Sequence, residues 1–343
     1  MEQGEIPAAV HEAFAAHWGP APAIRAVPDG LVNRTWAVGD PPAFALQCLA
    51  PLFDAADNAR SAEAAALLAA AGLPTPRHLP TAEGAPGLIA ADGRVWRLTP
   101  WLAGRTRHRL DVPAQARSAA ALLARFHRIL AAAPATARWP VSRFHDTEQR
   151  MADLVASREA SGDDDMRALA DAILTCWRKE VAPLRTSLPA RPGHGDPKIS
   201  NFLFTGDEAV AVLDLDTVAR QPVDDDLGDA LRSWCNPAGE DTAEARLNPD
   251  LFESALAGYL PEGGLSDAER SALVPGLARI ALELAARFCA DAADGHYFAW
   301  SPTVAPDARA HNLLRARGQL SLCRSVLEMR RRLEGAIRAQ TPG

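Results

Sequence analysis

A short β-like island inside a helical stretch constrains this chain more than any other feature. Over 192–218 the runs NFLF and AVAVLDLDTV are apolar and strand-like, with Thr205-Gly206-Asp207 between them as a turn. The flanking pattern is helical. ARSAAALLARFHRILAAA, DTEQRMADLVASREA and MRALADAILTCWRKEVAPLR come before the island, and helices are expected over 250–260, 266–290 and 309–338 after it. One β-hairpin is therefore expected inside a predominantly helical lobe.

The first hundred residues differ. Over 24–49 the runs IRAV, PDGLVNRTWAV and DPPAFALQCLA are broken by Pro28, Asp29, Gly30, Gly39, Asp40 and Pro41, which predicts antiparallel hairpins. NARSAEAAALLAAA at 58–71 consists of strong helix formers and stops at Gly72, so one helix is expected there. GLIAAD and GRVWRLTPWLAG, joined at Asp92-Gly93, predict a further hairpin. The expected fold class is α+β with two lobes: 1–103 a small antiparallel sheet with one helix, and 104–343 a larger, mainly helical lobe.

Length and charge narrow the function. At 343 residues the chain is too long for one small module. Against 43 acidic residues it carries 36 basic ones, a formal net charge of −7 with no basic block, so nucleic acid is not an expected partner. Cys48, Cys176, Cys235, Cys289 and Cys323 are scattered and form no C-x-x-C pair, the pattern of reduced thiols rather than of a disulfide framework or zinc site. No apolar run reaches the ~18 residues of a membrane span. MEQGEIPAAVHEAF lacks the basic-then-apolar order of a signal peptide, so a cytoplasmic protein with no membrane partner is expected. Its oligomeric state stays open. Of the 36 basic residues only Lys179 and Lys198 are lysines.

The island holds the densest chemistry. His194-Gly195-Asp196-Pro197-Lys198-Ile199-Ser200-Asn201 is followed by Asp214, eighteen residues after Asp196. A carboxylate and a carboxamide five apart on a tight loop, with an Asp at the end of a hairpin, suit metal-assisted phosphoryl transfer. Asp196 would orient and deprotonate an attacking hydroxyl, while the Asn201 oxygen and Asp214 hold Mg²⁺ on nucleotide phosphates. The same residue types also favour turns and caps. Asp216 is either a second metal ligand on the same strand face or a strand-end cap. Asp163-Asp164-Asp165 reads as a solvated turn between helices. Gly30, in a loop between strands, either lets backbone N–H groups approach phosphate or is an ordinary turn glycine. Trp101 stands either at an adenine pocket at the hinge between lobes or in the core.

HGDPKISNFLF and LDLDT resemble the catalytic loop, H-G-D-x-x-x-x-N, and the metal-binding segment of the aminoglycoside phosphotransferase and choline kinase branch of the protein-kinase-like fold. GLVNRTWAV, FALQ, FHDT, DLGDALR, RFCADAADGHYF and HNLLRARGQL, spread over 30–320, look closest to N-acetylhexosamine 1-kinase-like phosphotransferases. The resemblance implies a bilobal kinase-like fold in which Asp196 is the catalytic base and Asn201 and Asp214 are magnesium ligands. It also implies that Asp226 braces the loop backbone, as His194 is expected to do by hydrogen bonds. Gly30, Asn33, Gln47 and Trp101 would lie on the nucleotide side, and Arg287 and Tyr297 would lie near the sugar.

Kinases place a phosphate-gripping lysine on the third strand, but no lysine precedes Lys179 here. Gln47 stands at that place, and Glu63 either pairs with it or is an exposed helical residue. Lys198 either supplies charge to the transferring phosphoryl group or is a solvent lysine on the loop. The segment from Arg287 to Tyr297 is one residue shorter than the family pattern. The implied activity is ATP- and Mg²⁺-dependent transfer of the γ-phosphate to a small-molecule hydroxyl, at the anomeric position of a hexose or N-acetylhexosamine. The alternatives are an aminoglycoside, choline or homoserine kinase, or a catalytically silent kinase-like nucleotide-binding protein. Choline would call for an aromatic cage, for which two tyrosines are a thin supply.

Overall fold

The strand-like runs of the first hundred residues do form a sheet, and its two faces differ in chemistry. The computed structural model describes residues 8–20, 23–27, 33–134, 136–137, 139–142, 144–295 and 297–340. After α1 (Ala8–Trp18) come β1 (Ile24–Val27), β2 (Arg34–Val38) and β3 (Phe44–Cys48), then α2 (Ala55–Ala70), β4 (Leu88–Ile89) and β5 (Val95–Pro100). The strands pair antiparallel in the order β1-β2-β3-β5-β4. Alternate residues of a strand face opposite ways. Trp36, Val38, Leu46, Cys48, Trp96 and Leu98 thus share one face, where with Phe14 and Leu88 they make a buried core. The Trp36 and Trp96 rings stack at 5.3 Å. The intervening residues Thr35, Gln47 and Arg97, in register across β2, β3 and β5, occupy the opposite, polar face.

Two helices accompany this sheet rather than the one expected. α1 delivers Phe14 to the core, and the Trp18 indole donates to the Pro80 carbonyl at 3.1 Å. α2 starts on a capping box in which Asp54 accepts from the backbone of Ala56 and Asp57, and Asp57 accepts from Asp54 N–H.

The chain divides into two compact units, and the first is discontinuous: residues 1–104, 133–138 and 211–218 belong to it. The second comprises 105–132, 139–210 and 219–343. Beyond residue 104 the elements are β6 (Arg105–Thr106), α3 (Pro113–Ala131), α4 (Thr147–Ala160), α5 (Asp164–Cys176), β7 (Arg191–Gly193), β8 (Phe202–Thr205), β9 (Glu208–Val212), β10 (Ala219–Gln221), α6 (Val223–Trp234), α7 (Pro249–Gly263), α8 (Asp267–Asp294), α9 (Ala308–Glu328) and α10 (Arg330–Ala339). The division passes through β9.

In the second unit α8 packs on α4, α6 and α9, and α3 packs on α7. α6 and α8 cross at glycines: a Cβ on Gly228 would lie 2.8 Å from the Gly276 carbonyl oxygen, and one on Gly276 would lie 2.6 Å from that of Asp224. Side chains there would force the helices apart. Among the described residues no helix is long and apolar enough to cross a membrane.

Two local expectations are corrected. The run AVAVLDLDTV does not stay extended: the strand ends at Val212, and Leu215–Thr217 form a 3-10 turn, so Asp214 and Asp216 stand on a turn rather than a strand face. The Asp163-Asp164-Asp165 run opens α5, with Asp163 accepting from the backbone of Asp165 and Met166. Asp224-Asp225-Asp226, of which only the bracing role of Asp226 is expected from the sequence, opens helix α6. In both acidic runs the aspartates fill the first helical turn, where the helix dipole and unpaired N–H groups favour negative charge.

Candidate active site

The loop after β7 is built around one buried carboxylate. Asp226 of α6 accepts from the backbone N–H of His194 and of Gly195, both at 2.7 Å, from Gln221 Nε2 at 2.5 Å, and from His127 Nε2 at 2.6 Å. Burial opposes its charge, yet these donors, His127 foremost, hold its carboxyl down at about 2. Gly195 turns there with φ +87°, a conformation that side chains resist. His194 Nδ1 accepts from Asp196 N–H at 3.3 Å, and His194 is fully buried. Both residues therefore brace the loop as expected.

The rest of the loop hangs on the C-terminal end of α6. Trp234 Nε1 donates to the Pro197 carbonyl at 3.0 Å, and Ile199 N–H donates to Ser233 Oγ at 3.0 Å. Asn201 Nδ2 donates to the Asp196 carbonyl at 2.7 Å and lies 3.3 Å from Asp196 Oδ2. Lys198 Nζ forms an ion pair with Asp196 Oδ2. Asp196, Lys198 and Asn201 are thus brought together. Burial would raise the Asp196 pKa, but the Lys198 ammonium, with Arg232 behind it, holds the carboxyl below its ordinary value.

Residues that the sequence reading passed over surround this loop. Arg232 of α6 is buried in ion pairs with Asp229 and Glu240. Burial raises the carboxyls of Asp229 and Asp225 against the pull of Arg232 and Arg279 respectively. Arg279 of α8 pairs with both Asp224 and Asp225. His145, from FHDT, lies between Glu283 and the Gly195 carbonyl. In the sequence these residues are spread from 145 to 283, and no local spacing joins them.

In the same unit, Arg287 NH2 donates to the Tyr297 hydroxyl at 3.2 Å. The guanidinium carbon lies 4.6 Å from the Phe144 ring centre, 5.3 Å from that of Tyr297 and 5.6 Å from that of Phe298. Asp291 folds this segment back by accepting from the N–H groups of Tyr297 and Phe298 at 2.9 and 3.0 Å. Tyr297 is 54% exposed, so the platform opens to solvent.

The polar sheet face of the first unit holds a second cluster. Asp214 has φ 57° and ψ 68°, and among the described residues it is the one non-glycine with positive φ. Such a backbone is held against its own preference, a state that concentrates at functional positions. Two residues on, Asp216 is ion-paired with Arg97 and accepts from Asn33 Nδ2 at 2.7 Å. Burial would raise its carboxyl, but Arg97 and Asn33 hold it low. Asp216 is thus the counter-ion of Arg97 and does not cap a strand end.

Gln47 accepts from Arg97 Nε at 2.8 Å and donates to Thr35 Oγ1 at 3.2 Å, while Glu63 lies exposed. The cation beside the third strand is therefore Arg97, one strand over, and the search for a lysine missed it. Asn33 is buried, its amide committed to Asp216 and to Ala50 N–H. Trp101 is 39% exposed at the end of β5, which removes the core reading. Gly30 lies outside the described residues.

The donor chemistry suits a hard cation. Asn201, in the second unit, uses its NH₂ on Asp196, which leaves its carbonyl oxygen as an acceptor; Asp214, in the first, carries carboxylate oxygens, and oxygen is the donor type that Mg²⁺ takes. A braced H-G-D loop with an Asn five residues on is the arrangement expected of a protein-kinase-like phosphotransferase.

Residues 23–259 match the model of the phosphotransferase enzyme family, APH. The chain belongs to this family and is an enzyme of the phosphotransferase class. Its fold is shared with several solved structures. The microcompartment-associated aminopropanol kinase superposes with a TM-score of 0.65 at 16% identity, covering 95% of this chain and 98% of that one. Amicoumacin kinase hAmiN, in complex with AMP-PNP, Ca²⁺ and Ami, has a TM-score of 0.62 at 15% identity, over 91% and 92% of the two chains. A choline/ethanolamine kinase family protein from Mesorhizobium loti has a TM-score of 0.60 at 19% identity, over 96% and 98%.

Proposed function

We propose that the protein is an ATP- and Mg²⁺-dependent kinase that transfers the γ-phosphate to a sugar hydroxyl, the anomeric hydroxyl of a hexose or N-acetylhexosamine. The observation that carries the sugar reading is the Arg287–Tyr297 platform: a guanidinium fork and a phenol, backed by Phe144 and Phe298, on the unit that bears Asp196. Such a surface offers hydrogen bonds to hydroxyls and an aromatic face to a sugar ring.

In this reading Asp196 accepts the hydroxyl proton, and its Lys198 partner keeps it ionised until then. Lys198 also stands ready to meet charge on the transferring phosphoryl group. Asn201 and Asp214 hold the metal, which when bound offsets charge on the nucleotide phosphates. Residues 1–103 serve as the nucleotide lobe, with Gly30, Asn33, Gln47 and Trp101 on that side, and 104–343 as the catalytic and substrate lobe. ATP is the expected donor: hAmiN is bound to the analogue AMP-PNP.

A second reading is an amino-alcohol acceptor, favoured by the acceptors in the names of the structural relatives, aminopropanol and choline or ethanolamine. The test incubates the protein with ATP, Mg²⁺ and a panel of hexoses, N-acetylhexosamines, aminoglycosides, choline and homoserine, with Asp196→Asn as the control. Phosphorus and proton NMR then locate the phosphate. An acid-labile anomeric phosphate is expected, absent from the control; phosphate on an amine-bearing acceptor alone would replace the sugar reading, and no transfer to any acceptor would favour a silent nucleotide-binding protein.

A further inference from the structure

Two buried histidines flank the catalytic loop, and their partners require different proton counts. His127 Nε2 bonds to the Asp226 carboxylate and its Nδ1 to the Tyr259 hydroxyl, both at 2.6 Å. Arg191 donates to that hydroxyl at 3.2 Å, which leaves the phenol proton for His127 Nδ1. One ring proton, on Nε2, therefore satisfies both contacts. Burial pushes the His127 pKa down, in keeping with a neutral ring.

His145 has no such freedom. Its Nδ1 lies 2.9 Å from Glu283 Oε1 and its Nε2 lies 3.3 Å from the Gly195 carbonyl oxygen. The hydroxyl of Thr147 donates to the other Glu283 oxygen at 2.5 Å, and Arg279 donates to the Thr147 oxygen at 3.2 Å. The hydroxyl proton is thereby directed at Glu283, which favours the carboxylate. An ionised carboxylate and a peptide carbonyl can only accept, so both ring nitrogens of His145 must donate, and that takes two protons. The side chains of His145 and Glu283 are 3% and 1% exposed, so water does not substitute for either bond.

We propose that His145 is a positioning residue for phosphoryl transfer: an imidazolium anchored on Glu283 that holds the Gly195 carbonyl and thereby orients the neighbouring Asp196. The proposal rests on Asp196 being the base. When the ring loses a proton, one bond must go. The contact to Glu283 is shorter and charge-assisted, so the Gly195 contact is the one released.

The surrounding charges favour the protonated ring. Glu283, with Arg279 and Arg287 on its helix, faces His145 from α8; Asp225, Asp229 and Arg232 lie on α6. Burial alone would push the imidazole's pKa down, but the Glu283 carboxylate, followed by Asp229 and Asp225, turns the net shift upward. The sign follows from that shift. A raised pKa keeps the ring charged through its ordinary titration range of about 6.5, and the clamp is released as pH rises through the higher folded value.

The experiment uses the full chain labelled with ¹⁵N-histidine and with ¹³C-carbonyl glycine. His145 is assigned by its loss in His145→Gln, and the Gly195 carbonyl by the glycine signal that moves in that variant. Both His145 ring nitrogens should be protonated at pH 7. The Gly195 carbonyl should titrate at the same midpoint, and Glu283→Gln should move that midpoint to lower pH. Turnover, measured with the best acceptor or as slow ATP hydrolysis where no acceptor reacts, should fall on the alkaline side at that midpoint. His145→Gln should lower turnover roughly tenfold with nucleotide KM within about twofold, and should abolish that alkaline limb. A neutral His145 ring in the wild type at pH 6.5, or an alkaline limb that survives in His145→Gln, overturns the proposal. Failure of the acceptor panel would overturn the sugar reading while the ring's protonation is still read directly.

Discussion

At the scale of single residues, the proposed chemistry rests on the Lys198–Asp196 ion pair. Asp196 lies in surroundings that would raise its pKa, and the Lys198 ammonium is the leading force that lowers it. The carboxylate is therefore available above its depressed folded value and is lost only as pH falls through it. Lys198→Met removes that ammonium, so burial should prevail and the acidic limb of the turnover profile should move to higher pH by roughly 1–3 units, the usual reach of a close opposite charge. Turnover measured against pH is the check. A limb that stays in place would mean that Lys198 does not govern the base, whatever it does for the phosphoryl group.

At the scale of elements, each unit has one junction beside its candidate residues. Arg97 of β5 meets Asp216 of the 215–217 turn, with side chains 4% and 0% exposed. Asp216→Ala would leave a buried guanidinium without its counter-ion, which costs about 3–5 kcal/mol. Urea unfolding should register this loss, and Asp216→Asn, which keeps one acceptor, should cost less. The second junction is the α6–α8 crossing, where no room exists for a Cβ on Gly228. Gly228→Ala should destabilise the protein by about 1–3 kcal/mol, as overpacking does. It should also reduce turnover, because the crossing sets Asp224 and Asp225 against Arg279 and carries Asp226 to the loop. Normal turnover with unchanged stability would show that the helices part there at little cost.

Across the whole molecule, the five cysteines report on how the two units unfold. All five are free and buried. Burial raises the thiols of Cys48, Cys235 and Cys289, the last to about 12, and unionised buried thiols react slowly. Cys176 is the exception, its thiol lowered by a hydrogen bond with Cys323, but because all five are buried a disulfide reagent should label none of them in the native protein and all of them in denaturant. Cys48 belongs to the first unit and the other four to the second. If the first unit opens by itself in mild urea, one thiol should react ahead of the rest; simultaneous labelling of all five would show that the units unfold together. Labelling followed by mass spectrometry distinguishes the two outcomes.

How much of this was legible in the sequence depended on whether the signal was local. Alternating apolar residues announced β2, β3 and β5, helix formers announced α2, and H-G-D with Asn201 announced the loop, because each pattern is read over a few consecutive residues. The Asp163-Asp164-Asp165 run misled: it reads as a solvated turn, whereas it caps and opens α5. The partners of those motifs could not be read. That Gln47 and Arg97 stand opposite each other on neighbouring strands depends on strand register, and that Arg97 meets Asp216, 119 residues away, depends on where the chain returns after β9. Gly195, His145 and Glu283 likewise converge from a loop, the approach to α4 and the middle of α8. The sequence by itself determined most element types, the fold class and the H-G-D loop, since propensity and periodicity act within a few turns or rungs. Only the tertiary structure decided which buried charges are paired and which proton each histidine carries, since desolvation and Coulomb attraction depend on distances that chain order does not encode.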